Sequence, residues 1–375
     1  MNSKPEKEHE HLRYHLALAL APKVGPSVFK AILAYSGSAK EFFHLTKGKA
    51  SKIPRVGEKL LELQKQADSL LRNADEVISQ CLKKDYRILV STSEEFPKRL
   101  KAIEDGPIIL FAQGKGTLNF ERSVGIVGTL SSTVYGKSIT RKIVEDLAVF
   151  QPVIISGLAY GIDIEAHRAA LQVGLPTIAI MGSPLNQVYP AAHKTTATQL
   201  QETGNLLSEY APGSKMMPGN FPARNRIIAG LSDALIVVEA AEKGGALITA
   251  EIAYSYDKEV FAVPGNLQST FSEGCNQLIK KMKASIYTGP MDIADALFWN
   301  KPGEQKPSKI TLDLSQRDAE EKAILSFLQE KGESEIDQIS YLTEIPLGRL
   351  SSKLLSLEFE GILKSLPGKK YKLLV

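Results

Sequence analysis

The 375-residue sequence predicts a doubly wound α/β core with a helical module before it and a second small module after it. Three observations carry that prediction. Between Tyr86 and Tyr287, short β-branched runs alternate with helical stretches, and most of the runs are apolar throughout, as strands buried on both faces must be. Residues 1–80 show only helical periodicity. A polar, proline-containing stretch without periodicity, KPGEQKPSKITLDLSQ (301–316), separates the core from residues 317–375.

Taken in order, residues 1–80 read as two similar helical hairpins. LALALAPKVGPSVFKAIL (Leu16 to Leu33) and LTKGKASKIPRVGEKLLELQKQ (Leu45 to Gln66) each place a proline- and glycine-containing turn before an amphipathic helix. The pattern resembles helix-hairpin-helix or SAM-like modules, whose turn N–H groups can meet a phosphate. Lys40, Lys47, Lys49, Lys52, Arg55 and Lys59 crowd the second hairpin, and Lys52 and Arg55 are taken as secondary DNA contacts. A packing domain with a solvated basic face accounts for the same residues.

Residues 81–300 form the core. Its expected strands are Arg87 to Val90, Ile108 to Phe111, Ser123 to Val127, Val153 to Ser156, Thr177 to Met181, Asn205 to Glu209, Ala234 to Glu239 and Glu259 to Val263, with helices such as Tyr135 to Val149 and Ile162 to Val173 between them. Ligands of such sheets bind beyond the carboxyl ends of the strands. After the 301–316 linker, residues 317–375 predict three helices and a lysine-rich hairpin, ILKSLPGKKYKLL, which together describe a winged helix. Its third helix mixes Glu358 and Glu360 with Arg349 and Lys353, a poor charge set for reading duplex DNA. Protein contact and DNA contact through wing lysines, Lys369 and Lys370 among them, both stay open.

Composition bounds the function. Two cysteines, Cys81 and Cys275, without C-x-x-C spacing, predict neither a disulfide framework nor a zinc site. No stretch approaches a membrane span and the N-terminus lacks a signal pattern, so a soluble, cytoplasmic protein is expected. The net charge of +4 is concentrated in residues 1–80, which carry 13 Lys+Arg against 9 Asp+Glu. That excess permits a nucleic-acid partner without demonstrating one.

The loops exclude two chemistries and favour a third. GTLSSTVYG (Gly128 to Gly136) lacks G-x-G-x-x-G, the next strand ends in Ser156-Gly157 where a ribose-binding acid would stand, and no G-x-x-x-x-G-K-[ST] occurs. Nicotinamide chemistry and nucleoside triphosphate hydrolysis are therefore disfavoured. Gly128-Thr129, Ser156-Gly157-Leu158-Ala159-Tyr160-Gly161, Gly182-Ser183 and Lys243-Gly244-Gly245 instead place small residues between strand ends and helix starts, where free N–H groups suit an anion. Tight-turn geometry explains any single one of them, but four at one sheet edge point to a phosphate-bearing ligand. Arg224 and Arg226 lie about 200° apart on a helical wheel, so they cannot share a pocket. Arg224 is assigned to phosphate, Arg226 to an internal carboxylate, Asn225 to backbone or ligand, and Lys243 to a mobile point charge on a phosphate. Phe221 either stacks on a base or staples a helix start.

ISGLAYGIDIEAHRAAL (155–171), VYPAAH (188–193), FPARNRIIAGLSDALIVVEA (221–240) and EVFAVPG (259–265) resemble the DNA-processing protein A (DprA/Smf) family, continuously from about Tyr86 to Tyr287. The resemblance implies a Rossmann-like single-stranded-DNA-binding domain that self-associates as a homodimer. It also implies loading of a RecA-type recombinase during natural transformation, with no catalysed reaction, no cofactor and no metal. The implied binding pocket comprises Gly128, Thr129, Ser156, Gly157, Phe221, Arg224, Asn225, Lys243, Gly244 and Gly245. Two departures are present: Leu130 stands where the family usually has arginine, with Lys137 as a nearby substitute, and Gly244 where serine is common. Asp163 and His167 share a helix face but lack an accompanying nucleophile or metal set, so they are read as helix-start and packing residues. The rival reading is a Rossmann-like nucleoside-monophosphate phosphoribohydrolase, with Glu251 of GGALITAE assisting glycosidic cleavage and Arg224 holding the 5′-phosphate.

Overall fold

Strands form where the β-branched and apolar runs predict them. The computed structural model describes residues 3–54, 57–299, 317–360, 362–366 and 368–373. One sheet contains β1 (Arg87–Val90), β2 (Ile109–Gln113), β3 (Ser123–Val127), β4 (Val153–Ser156), β5 (Thr177–Met181), β6 (Asn205–Ser208), β7 (Ala234–Val237), β8 (Glu259–Ala262) and β9 (Ser285–Ile286). Their order is β1-β2-β6-β5-β4-β3-β7-β8-β9. From β6 to β9 all neighbours are parallel, while β2 runs antiparallel to β6 and β1 antiparallel to β2. The eight expected strands are all present with ends displaced by no more than two residues; β9, two exposed residues at the edge, is too short to leave a periodic signal.

Alternation of side chains splits the core between the two faces of the sheet. Val124, Ile126, Ile154 and Ile236 pack on Ile143, Val144 and Leu147 of the Val134–Leu147 helix and on alanines of the Ile162–Gln172 helix. Val127, Ile155, Leu235 and Val237 pack on Ile227, Ile228 and Leu231 of the Asn220–Leu231 helix and on Ala246, Ala250 and Ala253 of the Gly245–Ser255 helix. Each buried aliphatic side chain contributes about 1.5–3 kcal/mol, and burial on both faces makes the sheet a firm support for its loops. The chain winds outward from β3 through β4, β5 and β6, then the Asn220–Leu231 helix carries it back to β7 on the other side of β3. That reversal opens a crevice at the carboxyl ends of β3, β4 and β7.

The amino-terminal segment consists of six helices: Ser3–Ala19, Pro26–Ser36, Ala39–His44, Lys47–Ala50, Glu58–Lys65 and Ala67–Lys83. Both expected turns precede helices, with Gly25 and Gly57 as extended N-cap residues. Leu16, Phe29, Phe42 and Ile78 share one cluster with Phe111, Ala179, Met181 and Leu206 of the sheet. The Ser3–Ala19 and Ala67–Lys83 helices pack against β1 at the antiparallel edge of the sheet, and the chain up to Trp299 is one compact unit.

The second compact unit begins at Asn300; the expected linker, 301–316, lies outside the described residues. Its helices are Ala319–Lys331, Ile336–Thr343 and Leu347–Phe359, and its sheet is ordered β10 (Ser334–Glu335), β12 (Lys370–Leu373), β11 (Leu363–Leu366). Ile324, Leu328, Ile339, Leu350, Leu354 and Leu357 form its core. This is the predicted winged helix.

One polar lock fixes the start of the central strands. Asp233 accepts bonds from Arg99 Nε (2.9 Å), Arg99 Nη2 (2.8 Å) and the Ser123 N–H (2.9 Å), and Arg99 Nη1 also donates to the Phe120 carbonyl at 2.6 Å. Asp233→Ala leaves a half-buried guanidinium and a strand N–H without their acceptor, and is expected to lower stability by roughly 2–3 kcal/mol in urea unfolding. A midpoint equal to that of the parent would exclude the lock.

Candidate nucleic-acid interface

The crevice is a cavity of about 560 Å³ lined by residues from the loops after β3, β4 and β7 and from the start of the Asn220–Leu231 helix. Gly128, Thr129, Gly157, Phe221, Arg224, Asn225, Gly244 and Gly245 all line it. Ser156 and Lys243 are not among the lining residues. Ser156 is fully buried and its hydroxyl donates to the Ile126 carbonyl at 2.6 Å, which commits it to the sheet. Lys243 is exposed in the turn before Gly244 and can reach the mouth only by swinging its flexible stem.

Arg224 is the centre of the wall and is more structural than the sequence suggests. Its side chain is buried, and Nη1 donates to the carbonyls of Gly157, at 2.5 Å, and Ile180. The helix before β7 is thereby tied to the ends of β4 and β5. Nε has no hydrogen-bond partner. Arg226 points elsewhere and pairs with Glu209 at 2.6 Å, as its place on the wheel requires. Asp163 accepts the Gly157 N–H at 3.2 Å. Burial raises the Asp163 carboxyl above its ordinary range, while the Arg224 charge and the backbone N–H groups of Ala159 and Gly157 oppose the shift.

Two of the expected anion loops are thus already filled by the protein's own carboxylates. Asp163 occupies the loop after β4, and Glu239 occupies the loop after β3, accepting the Thr133 N–H at 2.9 Å and the Thr133 hydroxyl at 2.5 Å. The glycines there serve packing: a Cβ at Gly157 would lie 2.1 Å from Arg224 Nη1, and one at Gly128 would lie 2.4 Å from Ile162 Cγ1. At both positions the missing Cβ makes room for a side chain of the same chain, while the glycines themselves still line the cavity. The third loop is different. A Cβ at Gly245 would meet nothing within 4 Å, the N-cap Gly244 supplies no side-chain bond to the Gly245–Ser255 helix, and among the described residues the Gly245 and Ala246 N–H groups have no backbone acceptor.

Aromatic rings complete the wall. Phe221 packs against Tyr189 at 5.3 Å between centroids, and Tyr160 stands edge-on to His193 at 4.9 Å; Tyr160 and Tyr189 are half exposed. Sequence reasoning missed both tyrosines as wall residues, although each lies in a loop following a strand. Leu130, at the position where the resemblance implies arginine, is 62% exposed at the mouth, and Lys137 is exposed outside the lining.

The remaining candidates separate cleanly. His167 is fully buried and hydrogen-bonds Thr177 Oγ1 through Nδ1 at 2.7 Å, which agrees with a packing role. Glu251, the acid of the hydrolase reading, pairs with Lys283 at 2.5 Å and lies outside the cavity, because it sits more than one turn beyond the helix start that lines it. Lys52 is exposed and Arg55 lies outside the described residues. Lys369 is exposed, whereas Lys370 pairs with Glu333 at 3.2 Å. Among the described residues no cluster of three or more potential metal ligands occurs, and no helix is long and apolar enough to cross a membrane.

A mainly parallel doubly wound core with a crevice at its switch point, followed in the chain by a winged helix, defines a multidomain α/β protein of Rossmann-like fold with a candidate ligand site. The family model described as DNA recombination-mediator protein A matches residues 87–298, and that of the DprA winged helix domain matches residues 308–369. The chain belongs to the DNA recombination-mediator protein A (DprA/Smf) family. It is 32% identical to protein Smf of Synechocystis over 96% of this chain and 98% of that one. It is 40% identical to DNA processing protein DprA of Streptococcus pneumoniae over 53% of this chain and 70% of that one. Among solved structures, the S. pneumoniae protein superposes with a TM-score of 0.64 at 31% identity, covering 75% of this chain and 95% of that one. A Helicobacter pylori DNA processing protein A structure, described for its single-stranded DNA binding mode, superposes with a TM-score of 0.51 at 32% identity, covering 57% and 95%.

Two outcomes follow from this geometry. Arg224→Ala is expected to lower stability by roughly 3 kcal/mol, because it strips two buried carbonyls of their donor and leaves Asp163 without its nearby positive charge; chemical unfolding measures this. His167 is held down to about 3 by burial, with the Arg224 and His193 charges adding to the effect. Its neutral form is the folded one, so its contribution is complete above pH 6.5 and is lost as pH falls from there towards 3, at about 1.4 kcal/mol per unit. The fall in stability between pH 7 and 5 should therefore be shallower in His167→Gln than in the parent.

Proposed function

We propose that the chain binds single-stranded DNA in this crevice and acts as a recombination mediator in the cytoplasm, protecting incoming strands and loading a RecA-type recombinase during natural transformation. It does so without catalysing a reaction and without a cofactor, as a homodimer formed through residues 81–300, with residues 1–80 and 317–375 as accessory modules. The observation that carries the reading is the pairing, in one cavity, of the open Gly245–Ala246 amides with an exposed aromatic wall of Phe221, Tyr189 and Tyr160. A phosphodiester suits the amides and bases suit the rings, a combination tolerant of base identity. Arg224, with Nε unpartnered, supplies positive charge from the base of the wall, and the Asn225 amide remains for a ligand. Family membership and the single-stranded DNA binding described for the H. pylori relative support the same reading. The displacement of Glu251 from the cavity removes the acid on which the phosphoribohydrolase alternative depended.

Fluorescence anisotropy of labelled oligo-dT across a salt series tests the site. Phe221→Ala is expected to weaken binding by about 1–3 kcal/mol with little change in salt slope. Lys243→Gln should make the log–log slope shallower by about 0.7. Parent affinity in both variants would remove the assignment, and release of free base from a nucleoside monophosphate would replace it with a hydrolase.

A further inference from the structure

The winged helix distributes its charges in an unusual way. The third helix, Leu347–Phe359, is the element a winged helix ordinarily presents to the major groove, yet its cations are engaged within the domain. Arg349 pairs with Glu320 at 3.3 Å, and Lys353 pairs with Asp318 and, at 3.2 Å, with Glu321. Besides Arg349, which its ion pair leaves exposed, that helix exposes Leu347, Leu355, Phe359 and serines, so it carries no cation without an acidic partner.

The wing shows the opposite arrangement. Lys364 on β11 and Lys372 on β12 are direct cross-strand partners, so their side chains leave the same face of the hairpin. Both are exposed, and among the described residues neither has an acidic partner. Like charges placed directly opposite one another destabilise an antiparallel pair. Lysine on an edge strand can serve to block unwanted strand pairing, but β12 is the middle strand of its sheet, so edge protection does not account for Lys372. Lys369 adds a third exposed cation at the hairpin turn, where its backbone is left-handed, with φ of 56°. Lys370 is held by Glu333.

From this opposition we infer that the wing is a second polynucleotide site, in which Lys364, Lys372 and Lys369 grip phosphodiesters while the Leu347–Phe359 helix stays out of the groove. The site is independent of the sheet crevice and recognises backbone charge, not sequence. Phosphodiesters on both sides of the Lys364–Lys372 pair relieve its repulsion, so this part of the binding energy is specific to a polyanion.

The test uses the full chain, with a 20-base-pair duplex and with oligo-dT, each followed by anisotropy from low to moderate salt. It is run in the parent and in a Phe221→Ala background, so that loss of crevice binding leaves the wing measurable. Lys364→Gln combined with Lys372→Gln is expected to weaken binding several-fold and to make the log–log salt slope shallower by about 1.8 on duplex or about 1.4 on single strands. The same double variant should unfold at a temperature equal to or above the parent's, since a repulsive pair is removed. A response on duplex alone assigns the wing to duplex, and one on oligo-dT alone assigns it to single strands. Leu355→Ser should leave both affinities unchanged. Parent-like slopes in the lysine double variant on both nucleic acids would overturn the proposal, as would a selective loss of binding in Leu355→Ser.

Discussion

The buried Arg224 guanidinium is the interaction around which the crevice is organised. It reaches from the helix before β7 to the carbonyls at the ends of β4 and β5, so three segments meeting at the switch point are held by one planar cation. Gly157 has no side chain because the guanidinium occupies the space where one would be.

That arrangement changes how the crevice carries charge. In a dinucleotide-binding fold the loop after the first strand offers its amides to a pyrophosphate. Here the Glu239 carboxylate takes the Thr133 N–H and Asp163 the Gly157 N–H, so each of these two loops already holds a carboxylate of its own chain. At the third loop the Gly245 and Ala246 amides have no backbone acceptor among the described residues, and they line the same cavity as Tyr160. A polynucleotide suits such an asymmetric wall better than a compact dinucleotide, because it can put phosphates on one side and bases on the other.

The two compact units divide apolar and charged surface differently. In the first, the amino-terminal helices and the sheet share a single core cluster, so the helical layer and the crevice-bearing sheet are mechanically continuous. In the second, a small core of Ile324, Leu328, Leu350 and Leu354 holds a helix whose cations face their own acids and a hairpin whose lysines face each other. The first unit combines shape with amides; the second carries its unpaired cations on the hairpin.

By itself the sequence determined the strands, the helices that separate them and the loops that ligands approach, because burial on both faces and the period of 3.6 are properties of neighbouring residues. It likewise separated Arg224 from Arg226, since two positions on a helix differ by a fixed angle, and Arg226 meets Glu209 accordingly. Only tertiary structure decided what Arg224 and the glycines do. Asp163 and Glu239 reach loop amides, and Arg224 reaches Ile180, through contacts between residues far apart in the chain or brought round by a turn, and no local pattern records which N–H group a distant carboxylate will claim. Ser156 reads as ligand-facing for that reason, although a carbonyl on β3 had already claimed its hydroxyl.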